Sequence, residues 1–150
     1  MRFLENNIPL WAAISNGSIN NTKKETKQMD DQQQIENVIN TYIDSMNDSN
    51  ADMVRDAFHE NAKITGYLHG ELKQLSTEEF AGFVSSQQPS PNENGEKIEF
   101  DILNIEIEGS IAHVKIRDKY LGITFLDILS LLKDGDKWKI YNKLFNVESE

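Results

Sequence analysis

The C-terminal end of this chain limits its fold more than any other stretch. Two runs rich in apolar and β-branched residues, Gly122 to Lys133 and Asp136 to Val147, flank the dipeptide Asp134-Gly135. Asp-Gly between such runs is among the strongest short-range signals for a β-hairpin. Each run carries one charged residue where an apolar one is expected: Asp127 between Leu126 and Ile128, and Lys143 between Asn142 and Leu144. A buried ionisable group is costly unless it is paired or has work to do. Counting outward from the turn sets Asp127 opposite Lys143, which predicts direct or near-direct neighbours across the hairpin and a buried pair in a pocket wall. Asp127 shares parity with Phe125 and Leu129, so turning it to water would expose those two as well. A structural pair with Lys143 and a ligand contact are both open roles for it.

The rest of the chain supplies the other layer. Ile35, Val38, Ile39, Tyr42, Ile43 and Met46 recur at the spacing of one helical face. A second short helix is predicted from Ala51, with Val54, Ala57 and Phe58 inward. His59-Glu60-Asn61-Ala62 breaks that pattern, and Lys63 to Leu68 reads as a short strand. Ser76-Thr-Glu-Glu79 has the form of a capping box, so a third helix starts there and buries Phe80, Phe83 and Val84. Gln87 to Glu96, with two prolines and a glycine among polar residues, is loop.

Four strands close the chain. In the first, Ile98, Phe100 and Ile102 share one parity while Leu103, Ile105 and Ile107 share the other, which predicts a β-bulge. The second alternates Ala112, Val114, Ile116 and Tyr120 with His113, Lys115, Arg117 and Lys119, one dry face and one wet. The third and fourth form the hairpin. Helices followed by a strand meander predict an α+β domain, a curved antiparallel sheet wrapped around three N-terminal helices.

Composition narrows the function. A length of 150 residues suits one domain with a real core. Arg2, Lys23, Lys24 and Lys27 cancel Glu5, Glu25, Asp30 and Asp31, so the net charge of −10 lies in residues 35–150. An acidic body repels phosphate backbones and anionic lipid, which argues against nucleic acid and membrane partners. The absence of cysteine removes disulfides, thiolate nucleophiles and Cys-based zinc sites, and suits a cytoplasmic setting. Residues 15–34 are almost wholly polar and predict a disordered extension over 1–32, of which 1–28 is dispensable; Met29 is an alternative start. The domain proper is expected over 33–150.

Three motif fragments in this order resemble a known family: the Tyr42-bearing helix, the Ala57-FHENAKITG segment, and the run from Phe125 to Phe145 with Asp127, Trp138 and Lys143. They are similar to the nuclear-transport-factor-2-like (NTF2-like) superfamily, and within it to the group labelled "putative lumazine-binding" or SnoaL-like. The resemblance implies a cone-shaped sheet closed by three helices around a deep pocket, commonly in a homodimer. In ketosteroid isomerase, a member of that superfamily, a helix tyrosine and a strand aspartic acid form an oxyanion hole; Tyr42 and Asp127 take those positions here. The general base of that enzyme falls on Gly66, which has nothing with which to remove a proton, so the isomerase mechanism does not transfer.

The candidate ligand-binding residues are therefore Tyr42, Tyr120, Phe125, Asp127 and Lys143, with Asp127, Tyr42 and Asp118 as catalytic candidates. Tyr42 reads as a core helix residue or as pocket lining. Asp118, on the dry parity of its strand, is taken as an end residue turned to water; a second pocket carboxylate is the alternative. His59 and His69 lack the spacing of a metal motif, so no metal and no cofactor is expected. The leading reading is a binding module for a small, largely apolar or aromatic molecule. The alternatives are a cofactor-independent SnoaL-like isomerase, cyclase or dehydratase, and a dimerisation or assembly domain.

Overall fold

A computed structural model describes residues 29–150. The extension over 1–28 lies outside the described residues. Helix α1 spans Asp31–Asn47. It begins ahead of the expected start at Gln33, because Asp30 and Gln33 cap it reciprocally: each backbone amide donates to the other's side chain. The predicted stripe is buried, with Ile35, Ile39, Tyr42, Ile43 and Met46 all in the core. Helix α2 covers Ala51–Ala57 behind the Asn50 N-cap. Helix α3, Thr77–Ser86, opens on the expected capping box between Ser76 and Glu79. It buries Phe80 and Val84 but leaves Phe83 half exposed.

Six strands form one sheet in the order β2-β1-β6-β5-β4-β3. They are β1 (Phe58–Leu68), β2 (Glu71–Ser76), β3 (Phe100–Glu108), β4 (Ile111–Tyr120), β5 (Ile123–Asp134) and β6 (Lys137–Ser149). Two features correct the expectation of a wholly antiparallel sheet. Strand β1 pairs with β6 in parallel, so the sheet is mixed, as one parallel pair lets the N-terminal strand lie against the last strand of the meander. Strand β2 extends the sheet beyond β1 as an edge. Strand β1 also starts at Phe58 rather than Lys63, with a register shift between those two residues where the polar His59-Glu60-Asn61 passes through.

The bulge foreseen in β3 falls between Ile102 and Asn104, so Leu103 is the extra residue. One face of the sheet carries Ala62, Ile64, Val114, Ile116, Leu129, Leu131 and Ile140 into a single core with the helices. At the C-terminus of α1 the buried Asn47 accepts a hydrogen bond from the Ile98 amide at 2.7 Å and ties down the loop that precedes β3. The helices thus cover most of the inner face, and the part they leave open is a cavity.

Candidate functional site

The cavity has a volume of about 260 Å³. Its wall is almost wholly apolar: Met46 from α1, Ile64 and Leu68 from β1, Leu75 from β2, Phe80 and Phe83 from α3, Ile123 and Phe125 from β5, and Phe145 from β6. Tyr42, Asp118, Tyr120 and Lys143 bring polar atoms to it, Lys73 lies at its edge, and Leu121 stands at the turn after β4. Tyr42 is held by an aromatic cluster, its ring edge-on to Phe58 at 5.3 Å between centroids and tilted against Phe80 at 6.3 Å.

A chain of polar groups runs through this apolar setting. Lys143 Nζ donates to the Tyr42 hydroxyl. Tyr42 in turn donates to Asp127 Oδ2 at 2.9 Å. Lys143 Nζ also stands 3.7 Å from the same oxygen, and both side chains are almost fully buried. The ammonium lies over the rings of Tyr42 and Phe80 at 4.7 and 4.9 Å from their centroids, a cation–π contact. Burial, and then the Asp127 carboxylate, push the Tyr42 phenol well up, so it stays protonated as a donor.

The expected pairing of Asp127 with Lys143 is present, but its register differs. Asp127 sits opposite Phe145, and Lys143 sits opposite Leu129. The turn pairs Asp134 with Lys137, so an unbroken hairpin would set Asp127 opposite Leu144 and turn Lys143 to the other face. A register shift between Ser130 and Leu131 leaves an extra residue, Tyr141, in β6 and so brings the two onto one face as diagonal neighbours, an offset that the long lysine stem spans. Asp127 is not itself part of the cavity wall; it stands behind the lining residues Tyr42 and Lys143.

Asp118 is the principal correction. Expected to face water, it is buried and lines the cavity. It pairs with Phe125 while its neighbour Ile116 pairs with Asp127, so the two carboxyl groups are diagonal neighbours on the inner face. Burial, reinforced by the Asp127 carboxylate and opposed by Lys143, pushes the Asp118 carboxyl up to about 8. Asp118 Oδ2, Asp127 Oδ1 and the Tyr120 hydroxyl are buried without a hydrogen-bond partner among the described residues. A proton on Asp118 makes it a donor toward Asp127, so the pair carries one negative charge that Lys143 balances. Tyr120 packs edge-on to Phe83, and burial raises its phenol too.

Gly66 lies on the inner face of β1, opposite Phe145 of β6. A methyl group on its Cα would overlap both the Phe145 carbonyl and the Phe145 ring. The place where the resemblance puts a general base is therefore filled by an aromatic side chain. Of the residues expected at the site, Tyr42, Tyr120, Phe125 and Lys143 line the cavity directly. The other apolar lining residues, among them Phe80, Phe83, Leu121, Phe145 and Leu75 of β2, carry no mark in the sequence that separates cavity wall from core.

Comparison with known proteins agrees with this architecture. Residues 30–146 match the family described as "Putative lumazine-binding", and the chain belongs to that family, within the NTF2-like superfamily. An NTF2-like protein of unknown function from Methylobacillus flagellatus superposes with a TM-score of 0.71 at 27% identity, covering 81% of this chain and 95% of its own. Another from Silicibacter pomeroyi gives 0.70 at 19% identity, over 77% and 94%. Among curated proteins, the aldolase FrzH of a Cladobotryum species is 24% identical over 105 residues, 70% of this chain and 82% of that one. No described helix is long and apolar enough to cross a membrane.

Proposed function

We propose that this domain binds a small, largely apolar molecule bearing a hydrogen-bond acceptor such as a carbonyl oxygen. The observation that carries the reading is an unpartnered buried polar atom, the Tyr120 hydroxyl, on a residue that lines a cavity otherwise apolar. Buried polar groups are rarely left unpaired, and leaving one so costs stability. A ligand oxygen accepting from the Tyr120 phenol removes that cost while its apolar body fills the space. The volume, about 260 Å³, lies just below the usual ~300–1,000 Å³ of ligand pockets and suits a compact ligand.

The test compares 2-acetylnaphthalene with naphthalene by calorimetric titration. The ketone is expected to bind at least about tenfold tighter, the value of one good buried hydrogen bond. Tyr120→Phe should narrow the gap. Equal affinities, or no binding of either, would overturn the reading. Lumazine belongs in the same series because the family description names it.

A catalytic reading draws on the Asp118 proton. A neutral carboxyl beside a carboxylate can protonate a carbonyl oxygen as an enol forms, and the relative named an aldolase lends it weight. It lacks a base on the wall, since Gly66 has no side chain and Asp127 stands behind Tyr42. Deuterium appearing in the acetyl group of the bound ketone in D₂O, above the rate in buffer, would favour it over simple binding.

We also propose a homodimer through the outer face of the sheet. Ile128 and Leu144 are direct neighbours there and stay exposed, with Thr65 of β1 beside Leu144.

A further inference from the structure

Two hairpin turns lie at the same end of the sheet. His69-Gly70 joins β1 to β2 and Leu121-Gly122 joins β4 to β5, each closing a two-residue loop. Both residues of each turn have positive φ: 52° and 82° in the first, 53° and 81° in the second. This is the tight turn whose first position favours Asn, Asp or Gly, because their short side chains tolerate the left-handed backbone. Among the described residues only Ser49, His69 and Leu121 are non-glycine residues in that region. Histidine is enriched there; a bulky γ-branched leucine is not.

The fold does not account for this choice. Leu121 is about half exposed and is absent from the buried core. A turn at this position would close more easily around Asn, and a half-exposed leucine gains little burial in return. It does line the cavity, next in sequence to Tyr120 and together with Phe83 and Ile123. A local rule broken without structural gain points to a functional demand. We infer that Leu121 closes over the outer end of the bound molecule and sets a preference for ligands that are apolar there. The inference rests on the binding reading above and names the residue that shapes the cavity's open end.

The experiment places Leu121→Asn and Leu121→Met in the full chain and measures both the thermal midpoint and the affinity for 2-acetylnaphthalene. Asn relieves the turn and removes the apolar contact, so its midpoint should rise while its affinity falls about tenfold, the scale of one leucine side chain taken from water. Met keeps the contact and should bind like the parent. An Asn variant that binds as tightly as the parent would overturn the inference and leave the binding reading intact. Loss of affinity together with a lowered midpoint would overturn it as well, because damage to the turn would then explain both. A parent protein that takes up no ketone would overturn the binding reading and this one with it.

Discussion

Asp118→Asn removes the titrating group while keeping the shape and the hydrogen-bonding capacity of the side chain, and its consequence can be worked out in advance. In the folded chain, burial and the neighbouring Asp127 carboxylate hold the Asp118 carboxyl at about 8. In an unfolded chain an aspartate titrates near 3.9. Between those values the folded state keeps a proton that the unfolded state has released. The stability linked to this group is thus fully present below the unfolded value and is lost as pH climbs toward the folded one. The slope is about 1.4 kcal/mol per pH unit. Raising the pH from about 5 to about 7.5 should therefore remove about 3 kcal/mol from the parent through this group alone. Asparagine does not titrate, so the variant escapes that loss, and groups remote from Asp118 contribute equally to both proteins. Urea unfolding of both proteins at the two pH values measures it. With slopes of about 1–3 kcal/mol per molar urea, the midpoint of the variant should gain roughly 1–3 M on the parent across the interval. Two proteins whose stabilities run parallel with pH would refute the argument, placing an ordinary, ionised carboxylate at position 118.

The Lys143–Asp127 pair and the outer face offer further tests. Lys143→Met leaves a buried carboxylate without its cation and should cost about 3–5 kcal/mol in urea unfolding at neutral pH. Exchanging both residues, Asp127→Leu with Lys143→Met, should be milder than the single change, and a single variant as stable as the parent would remove the pair from the interior. Sedimentation at tens of micromolar protein, roughly the range in which a modest interface holds, should show a dimer. Ile128→Glu with Leu144→Glu should return it to monomer, and a parent that sediments as monomer would count against the proposed interface.

Much of this architecture is legible in the residues. The α1 stripe, the Ser76–Glu79 capping box and the parity switch around Leu103 are local signals, and each corresponds to a feature of the fold. Asp127 and Lys143 stand out because a charge inside an apolar run contradicts its neighbours. What escapes depends on distant partners. Strand β2, Glu-Leu-Lys-Gln-Leu-Ser, is a short and largely exposed edge without a clear apolar alternation. The parallel pairing of Ile64 with Lys143 joins residues far apart in the chain, and no local pattern encodes it. Asp118 was read as wet because it lies near the end of its strand. Its burial comes from strands on both sides, where it pairs with Phe100 and Phe125.

The meeting of Gly66 with Phe145 constrains how such a domain can change. A carboxylate at position 66 cannot be installed by one substitution, because the backbone carbonyl and the ring of Phe145 both occupy the space of its Cβ. The reverse order is also penalised: trimming Phe145 first opens a void in the cavity wall and forfeits its edge-on contact with Phe125. Even both exchanges together leave the Phe145 carbonyl against the new Cβ, so a base on this wall needs the two strands to move apart as well. A chain constrained in this way can reshape its cavity through positions like Leu121 far more readily than it can acquire a base at position 66.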